Sequence, residues 1–559
     1  MLPTSARGDA AGQADSSRSG PGRGQDSAAL PRGLAPWPAL ALALAGGFAL
    51  SAAFPPGGFW PLAAVGPAAL AIALWRRSLR GSAAVGLVFG IAFFVPLLSW
   101  LVNVAWYAWA ALAGADTVIF AVLVIGQRLL MRLRAWPLGV AGWWVAAESL
   151  RDRWPFGGFP WGRLAMSQAG APTVRWVAVG GPSLLTFLLA LVGACLAWLI
   201  LGSARRAAEP ANTGPANTGP AALRRRLLPA ACLVVAAGVA VAGPLLPVDG
   251  SAPGTPTAEV AAIQGNVPHA RNLPDLLREN TVTTNHANVT QQLAAQVRSG
   301  ARPAPDVVIW PENSTDQDPA DNPFVYTAIQ NAVDAIDRPL LVGAVLQDPV
   351  RNAGQLWLPH RGPVEAYIKR RLVPFGEVIP FRSFLDTFSS LPSLQPVNFT
   401  PGHRAVVFHV GKIRLGDVIC YEVGFDGLVS SEVAAGANLL SVQTNDADFE
   451  LDGQTGETLQ QLAMARIRAV EHDRAVVVAS TTGVSAIIGP DGQLMTHTGL
   501  WRPAIVEARV PLRTSTTLAD RLGGWPEGLL TGATIAALAW VIAAAAVARR
   551  RRRGHGEPA

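Results

Sequence analysis

Lysine is almost absent from this chain of 559 residues. Of the 45 lysine and arginine residues, only Lys369 and Lys412 are lysines. Arginine therefore supplies positive charge wherever a simple cation is sufficient. A lysine retained against this bias is a candidate for a role that needs a compact ammonium group with an adjustable pKa. Until their neighbours are considered, chance retention explains the two lysines equally well.

Cysteine is also scarce, and its placement argues against a disulfide framework. Two of the three cysteines, Cys195 and Cys232, lie in long apolar runs. Cys420 differs, because it ends an alternating, strand-like stretch and is followed by Tyr421 and Glu422. A lone cysteine in such a place is more often an inert buried thiol than a nucleophile. A reactive thiol needs a base, which the sequence must supply elsewhere.

Acidic residues are fewer than basic ones, and the formal net charge is +7. Such a balance raises the possibility of a nucleic-acid partner. The arginines, however, are grouped beside apolar runs. Membrane topology explains that grouping better, and no nucleic-acid partner is expected.

The chain is rich in apolar sequence, with 50% hydrophobic residues and a mean hydropathy of +0.30. A Gly-, Ser- and Pro-rich tail over residues 1–33 is expected to be disordered. The apolar residues beyond it are clustered, which indicates membrane spans of up to ~20 residues. We mark eight segments, at about 36–54, 59–75, 83–103, 113–131, 136–150, 178–201, 227–247 and 526–548.

Arginine clusters follow the second, fourth, sixth and eighth segments. All of them fall on the cytoplasmic side if the N-terminus is inside. This predicts seven spans over 34–250, an extracytoplasmic domain over 256–512, a C-terminal span over 525–548 and a basic cytoplasmic tail over 549–559. One set of arginines violates the rule, so its loop is expected to have another role: Arg151, Arg153, Arg163 and Arg175.

The character of the sequence changes between residues 256 and 512. Helical patterns at 275–298, 323–336 and 455–473 alternate with short apolar strands, which predicts a layered α/β domain. The predicted strands are Val260–Gln264, Val307–Trp310, Leu340–Val345, Ala405–His409, Ile413–Cys420, Leu439–Gln443, Val476–Ser480 and Ser485–Ile488.

Three places in this domain carry residues suited to acyl transfer. Glu312 follows a buried strand and Trp-Pro, Lys369 opens a run that ends at Glu377, and Cys420 ends its own strand. A buried carboxylate can deprotonate a thiol, and an ammonium can stabilise the oxyanion that forms when the thiolate attacks a carbonyl. Taken singly, Glu312 is more often a helix-terminal residue and Lys369 a solvated charge. Their combination favours a catalytic set.

The motifs around these residues resemble those of the nitrilase superfamily, and more narrowly those of its membrane branch, apolipoprotein N-acyltransferase. The resemblance covers about residues 34–548. The Leu-Val-Pro-Phe-Gly-Glu run, together with the spans, is the specific part of it. The motifs are Val308-Ile-Trp-Pro-Glu-Asn-Ser, Tyr367-x-Lys-x-x-Leu-Val-Pro-Phe-Gly-Glu377, Ile419-Cys-Tyr-Glu422, Ile263-Gln-Gly-Asn-Val-Pro268, Gly158-Phe-Pro-Trp161 with Gln168, Met464-Ala-Arg-x-Arg-Ala-Val-Glu471 and Ser480-x-x-Gly-Val-Ser485.

The resemblance implies a four-layer α-β-β-α domain on a base of about eight spans. It implies that Glu312 is the general base, Lys369 the oxyanion stabiliser and Cys420 the nucleophile. Glu377 would be a second carboxylate beside the lysine, with Tyr421 and Glu422 in support.

The implied reaction moves an acyl chain from a phospholipid to the cysteine as a thioester. The chain then passes to the α-amino group of the diacylglyceryl-cysteine that begins a lipoprotein. The implied location is the bacterial cytoplasmic (inner) membrane, with the catalytic domain on the extracytoplasmic face. Neither a cofactor nor a metal is expected, because the histidines lack metal-ligand spacing.

Two positions depart from the family pattern. Asp448 stands where an aromatic residue is expected, and Leu273 lies in a stretch that lacks an expected tryptophan. Both regions are expected to line the substrate opening, so the preference for lipid or acceptor is affected.

Two other functions stay open from the residues alone. The protein could be a membrane-tethered amidase of the nitrilase type with water as acceptor, although a soluble hydrolase needs no base of eight spans. It could also be a non-catalytic membrane scaffold, against which the intact Glu, Lys and Cys set counts.

Overall fold

The computed structural model describes residues 33–208, 220–247, 254–268, 275–387, 396–447, 449 and 453–554. All but the last residue of the predicted N-terminal tail lies outside these ranges. Leu273 and Asp448, the two departures from the family pattern, also lie outside them.

The N-terminal part of the described chain is entirely helical up to the first strand. Its apolar, alanine- and leucine-rich runs satisfy their backbone groups internally, as a lipid environment requires. The helices are α1 (Pro36–Ala53), α2 (Leu62–Leu74), α3 (Leu79–Leu97), α4 (Trp106–Leu130), α5 (Trp136–Arg151), α6 (Val177–Ala208) and α7 (Pro220–Leu245).

Each of the eight predicted apolar segments coincides with a helix. Among the described residues, five helical stretches are long and apolar enough to cross a membrane. The other three segments coincide with α2, α5 and α7. Of these, α2 has only 13 residues and α5 has 16. In α7 the apolar stretch found among the described residues is Val234–Leu245. About eight spans therefore stays a prediction. The five stretches are Pro36–Ala53, Leu79–Leu97, Trp106–Leu130, Pro172–Ser203 and Trp525–Arg551.

Glycines let these helices pack closely. A Cβ atom added to Gly47 of α1 would lie 2.4 Å from the carbonyl oxygen of Phe89 in α3. One added to Gly86 of α3 would lie 2.9 Å from Cα of Ala121 in α4. Small residues at such crossings bring backbones into direct contact, which is a principal source of helix association in lipid.

Among the described residues, twelve strands and seven α-helices form the α/β part and the C-terminal end of the chain. The strands are β1 (Thr257–Gln264), β2 (Val307–Ile309), β3 (Leu340–Leu346), β4 (Arg351–Leu358), β5 (Gly362–Ile368), β6 (Val407–Val410), β7 (Ile413–Ile419), β8 (Leu439–Thr444), β9 (Ala475–Ser480), β10 (Ala486–Ile488), β11 (Leu494–His497) and β12 (Ala504–Pro511). The main helices are α8 (Asp275–Arg298), α9 (Pro323–Ile336), α11 (Asp426–Ala434) and α12 (Gly456–His472), with short α10 (Arg382–Leu385) and α13 (Leu518–Leu522). Helix α14 (Trp525–Gly554) closes the chain.

The strands form two six-stranded sheets, ordered β12-β1-β2-β3-β4-β5 and β11-β10-β9-β8-β7-β6. Apolar side chains such as Ile309 and Ile419 pack between the sheets. Helices α8 and α9 cover the outer face of the first sheet, and α11 and α12 that of the second. The expected α-β-β-α layering is therefore confirmed.

The central strands are buried on both faces, because each sheet lies between the other sheet and a helix layer. Strands β1, β2 and β3 run parallel to one another, as do β7, β8 and β9. The carboxyl ends of parallel strands form the edge where functional side chains converge. Glu312 follows β2 and Cys420 follows β7 at such ends.

One hydrophobic core joins the membrane helices to the second sheet. It runs from residues such as Leu50 and Phe89 in the helices to Val418 and Val476 in β7 and β9. The α/β domain is therefore packed onto the helical base, and strand β7, which leads to Cys420, belongs to the shared core.

The two sheets approach each other closely at Gly354 of β4. A Cβ atom there would lie 2.1 Å from Oδ2 of Asp417 in β7 and 2.7 Å from Oε1 of Gln443 in β8. The Asp417 side chain is fully buried and accepts a hydrogen bond of 2.5 Å from Ser441. Burial raises the pKa of Asp417 to about 7, so the carboxyl is held in its neutral form at acidic pH.

We expect stability to fall as the pH rises from about 4 to about 7. The pKa of Asp417 is higher in the folded than in the unfolded chain, so its contribution is complete below the unfolded pKa and is largely lost by the folded pKa of about 7. From about pH 6 to about pH 8 the loss is roughly 1 kcal/mol. Tryptophan-monitored unfolding in detergent should show a flatter profile for Asp417→Asn. The exposed control Asp321→Asn should keep the wild-type profile, and equal slopes for all three proteins would contradict this assignment.

Candidate active site

Glu312 lies just beyond β2, where Pro311 ends the strand. Its side chain is buried, with 4% of the residue exposed. Oε1 accepts hydrogen bonds from Lys369 Nζ at 2.8 Å and Asn352 Nδ2 at 2.7 Å. Oε2 accepts one from the backbone N–H of Asn445 at 3.0 Å. Both carboxylate oxygens are thus fixed in orientation.

Lys369 is the first residue after β5 and is 1% exposed. Its ammonium lies between two carboxylates, 2.8 Å from Glu312 and 3.0 Å from Glu377. Burial alone would lower the pKa of Lys369, but the carboxylates outweigh burial and raise that pKa well above its usual value. Asn352 on β4 donates to Oε1 of both carboxylates, and the Val373 N–H binds the other oxygen of Glu377 at 2.8 Å. Lys369 is therefore a protonated ammonium whose position is fixed by the two carboxylates.

Cys420 follows β7 and begins a 3₁₀ turn over Cys420–Gly424. Its φ is +51°, a left-handed conformation that is strained for a side chain with Cβ and recurs at functional sites. The thiol is 8% exposed, and Gln461 Nε2 on α12 donates to Sγ at 3.3 Å. Burial and the Glu312 charge raise the pKa of Cys420, against the opposing charge of Lys369. The resting group is a thiol.

Glu422 joins the turn at Cys420 to the segment that carries Lys369. Its carboxylate is fully buried and accepts four hydrogen bonds that span both segments. Burial nevertheless raises the pKa of Glu422. The donors are the Ile419 N–H at 2.9 Å, the Arg370 N–H at 2.6 Å, the Arg371 N–H at 2.9 Å and the Tyr367 hydroxyl at 2.8 Å.

Tyr421 packs the same turn against the membrane part. Its ring stacks on Trp161 with centroids 5.8 Å apart, and Trp161 stacks on Phe159 at 5.2 Å. The Tyr421 hydroxyl donates to the Gly158 carbonyl oxygen at 2.5 Å. The Gly158-Phe-Pro-Trp161 motif is therefore a docking surface for the residue next to the cysteine.

A buried ion network fixes the turn from its other side. Asp426 accepts from Arg163 of the membrane loop at 2.7 Å and from Arg468 of α12 at 2.7 Å. Arg468 also donates to the carbonyl oxygens of Val423 and Gly424 at 2.9 and 3.0 Å. Arg163 is one of the arginines that violate the charge rule for topology. Its contact with Asp426 provides the other role expected for this loop.

Sequence reasoning identified all six candidate residues that meet here, but it missed several of their partners. Asn352 lies on a strand that the apolar pattern did not reveal, and Gln461 lies in the middle of a helix. Asp426 follows the cysteine by six residues but gave no signal. The four misplaced arginines, Arg163 among them, indicated only that their loop has a role other than setting topology.

The fold and the site together define a class. A thiol, a carboxylate and an ammonium meet at the strand ends of a two-sheet α-β-β-α domain that is packed onto apolar helices. This is a membrane-embedded protein of the carbon-nitrogen hydrolase type.

Comparison with known families narrows the class. The family model of the apolipoprotein N-acyltransferase N-terminal domain matches residues 46–195, and that of carbon-nitrogen hydrolase matches residues 259–520. The apolipoprotein N-acyltransferase of Mycolicibacterium smegmatis is 36% identical over 89% of this chain and 84% of its own length. That of Azotobacter vinelandii is 29% identical over 94% of this chain and 98% of its own length.

Among solved structures, an amidase of the nitrilase superfamily from Nesterenkonia covers 49% of this chain and 97% of its own, with 17% identity and a TM-score of 0.36. On the sequence comparisons the chain belongs to the apolipoprotein N-acyltransferase family and is an acyltransferase with a carbon-nitrogen hydrolase domain. The resemblance seen in the sequence is confirmed.

We expect Glu422→Gln to lower N-acyltransferase activity by at least about tenfold, because small misplacements of reacting groups have large effects on rate. The amide would keep one acceptor oxygen but would turn an NH2 donor toward two of the four groups that donate to Glu422. The matched control is Glu365→Gln, an exposed residue on β5, which leads to Lys369. Initial rates in detergent measure both variants, and an equal rate for Glu422→Gln and wild type would contradict a positioning role.

Proposed function

We propose that the protein N-acylates the diacylglyceryl-cysteine at the start of lipoproteins, with a phospholipid as acyl donor and a Cys420 thioester as intermediate. The observation that carries the proposal is the buried Lys369 ammonium, held between Glu312 and Glu377 beside the Cys420 thiol. This set has the parts that a thiol-dependent acyl transfer needs.

In the first half-reaction Glu312 takes the proton from Sγ of Cys420 as the thiolate attacks an ester carbonyl of the phospholipid. The C–S bond forms while the carbonyl electrons move to oxygen, and Lys369 stabilises that oxyanion. Collapse breaks the ester C–O bond, and the proton on Glu312 passes to the departing lysophospholipid oxygen. A thioester remains on Cys420.

In the second half-reaction the α-amino group of the lipoprotein cysteine attacks the thioester. Glu312 accepts the amine proton, the C–N bond forms, and Lys369 again faces the oxyanion. Collapse breaks the C–S bond, and the proton returns to sulfur. The products are an amide and the free thiol, so the enzyme is ready for another cycle.

Burial favours the amine over water as acceptor. Glu312 and Lys369 are at most 4% exposed and Cys420 is 8% exposed. Limited access for water slows hydrolysis of a reactive intermediate. A lipid-bound acceptor can approach from the bilayer, because the turn at Cys420 packs on a loop of the membrane part.

The three cysteines allow a direct test of the thioester. Cys195→Ala with Cys232→Ala leaves Cys420 as the only thiol, and both removed cysteines lie in the helical base. Incubation of this variant with phospholipid should add the mass of one acyl chain, which hydroxylamine should remove. Cys420→Ala should gain no mass and should show no acylation of a diacyl lipopeptide.

Three outcomes separate the candidate functions. Lipopeptide acylation by purified Cys420→Ala would show that the thioester mechanism is wrong. Release of ammonia from small amides without acylation of the lipopeptide would favour an amidase. If Cys420→Ala supports every cellular phenotype of the protein, the scaffold hypothesis gains.

The proposed location is the bacterial cytoplasmic membrane, with the catalytic domain outside. This orientation rests on the arginine clusters, which fall on the cytoplasmic side when the N-terminus is inside. A cysteine placed at the exposed Arg361, in the turn between β4 and β5, should react with a membrane-impermeant maleimide in intact cells. Labelling only after permeabilisation would reverse the orientation.

A further inference from the structure

A polar cavity of about 440 Å³ lies between the helical base and the turn that carries Cys420. Its walls come from Asp152 and Arg153 after α5, from the break in α6, and from Glu527 at the start of α14. The α/β domain contributes Arg371, two residues after Lys369, and Phe425, five residues after Cys420. The volume falls in the range of about 300–1,000 Å³ typical of small-molecule sites.

The carboxylates that line the cavity are already matched by arginines. Asp152 and Asp426 face Arg163, at 3.3 and 2.7 Å. Glu527 pairs with Arg153 at 2.6 Å. The fourth carboxylate, Glu471, pairs with Arg468 behind the wall at 2.5 Å. Each lining carboxylate therefore lies within 4 Å of an arginine, although Asp152 and Asp426 share Arg163.

Arg371 differs from the other lining arginines, each of which contacts a carboxylate. The Arg371 guanidinium is exposed and lies over the Phe425 ring, 5.1 Å from its centroid. It finds no hydrogen-bond or ion-pair acceptor among the residues that the structure describes. The neighbouring Arg370 also lines the cavity, but its guanidinium pairs at 2.6 Å with Glu432, which is not a lining residue. A ligand with a negative charge suits this cavity, and a planar guanidinium fork matches phosphate oxygens.

The cavity lies where apolar helices end. Helix α5 ends at Arg151, α14 begins at Trp525, and α6 is broken at Gly180 and Gly181. The ends of membrane helices lie at the level of lipid headgroups, beyond the hydrocarbon layer of about 30 Å. The Arg371 guanidinium and the break in α6 line the same cavity, so both lie at the level of the lipid headgroups.

We propose that this cavity is a phosphate-binding subsite, with Arg371 as its principal ligand. The phosphate is carried by a phospholipid headgroup or is free in solution. Assigning it to the headgroup of the acyl donor rests on the proposed function. In that case Arg371 fixes the headgroup while the acyl ester reaches Cys420, so the subsite is a specificity element for donors that carry phosphate.

The test measures binding to the Cys420→Ala protein, in which the proposed acyl transfer cannot occur. Native mass spectrometry in detergent compares phosphatidylglycerol with diacylglycerol of the same chains, and inorganic phosphate is titrated separately. We expect tighter retention of phosphatidylglycerol than of diacylglycerol, and a loss of at least about tenfold on adding Arg371→Gln. The control Arg361→Gln changes an exposed arginine in the turn between β4 and β5 that does not line the cavity, and it should change nothing. Arg371→Lys should restore part of the loss.

The outcomes distinguish the sources. Binding of phosphatidylglycerol that depends on Arg371, and that millimolar inorganic phosphate does not displace, supports the headgroup. Binding of inorganic phosphate alone that depends on Arg371 supports a free-phosphate site and overturns the link to the donor. Equal binding of both lipids with no effect of Arg371→Gln overturns the subsite. Because none of these readings requires acyl transfer, failure of the proposed function would be seen separately, as absence of the thioester in wild type.

Discussion

The buried ammonium of Lys369 between Glu312 and Glu377 is the interaction on which the site depends. A lone buried charge is unstable, and removal of one partner from such a group costs about 3–5 kcal/mol. The two carboxylates and the Asn352 amide that bridges them therefore bring β2, β4 and the segment after β5 into one arrangement. A compact ammonium can approach both carboxylates, at 2.8 and 3.0 Å, which is consistent with a lysine here in a chain that uses arginine almost everywhere.

The cysteine turn is held by contacts that come from three directions. Glu422 ties it to the lysine segment, Arg468 binds its carbonyl oxygens from α12, and Tyr421 packs on the Gly158-Phe-Pro-Trp161 loop. These contacts hold the turn from three sides, and they stabilise the left-handed backbone conformation of Cys420. The membrane part is thus a structural component of the active site as well as an anchor.

The sequence predicted what depends on local pattern, and it missed what depends on tertiary contact. Strands such as β7, and helix α12, have strong apolar periods, and the three motifs located Glu312, Lys369 and Cys420. Strand β4 was missed because it contains Asn352 and Gly354, which have low strand propensity. Both residues are needed there for contacts with distant segments: Asn352 for the carboxylates, and Gly354 for close approach to Asp417. No local pattern encodes such contacts.

The central claim is that acyl chains pass through Cys420, and a chase experiment tests it most directly. Enzyme acylated by phospholipid is freed of all lipid and then mixed with a diacyl lipopeptide. The account predicts one equivalent of N-acylated product, formed as the acyl mass leaves the protein at a rate no slower than steady-state turnover. If product forms only when phospholipid is added back, or if the acyl mass stays on the enzyme, the thioester is not the intermediate.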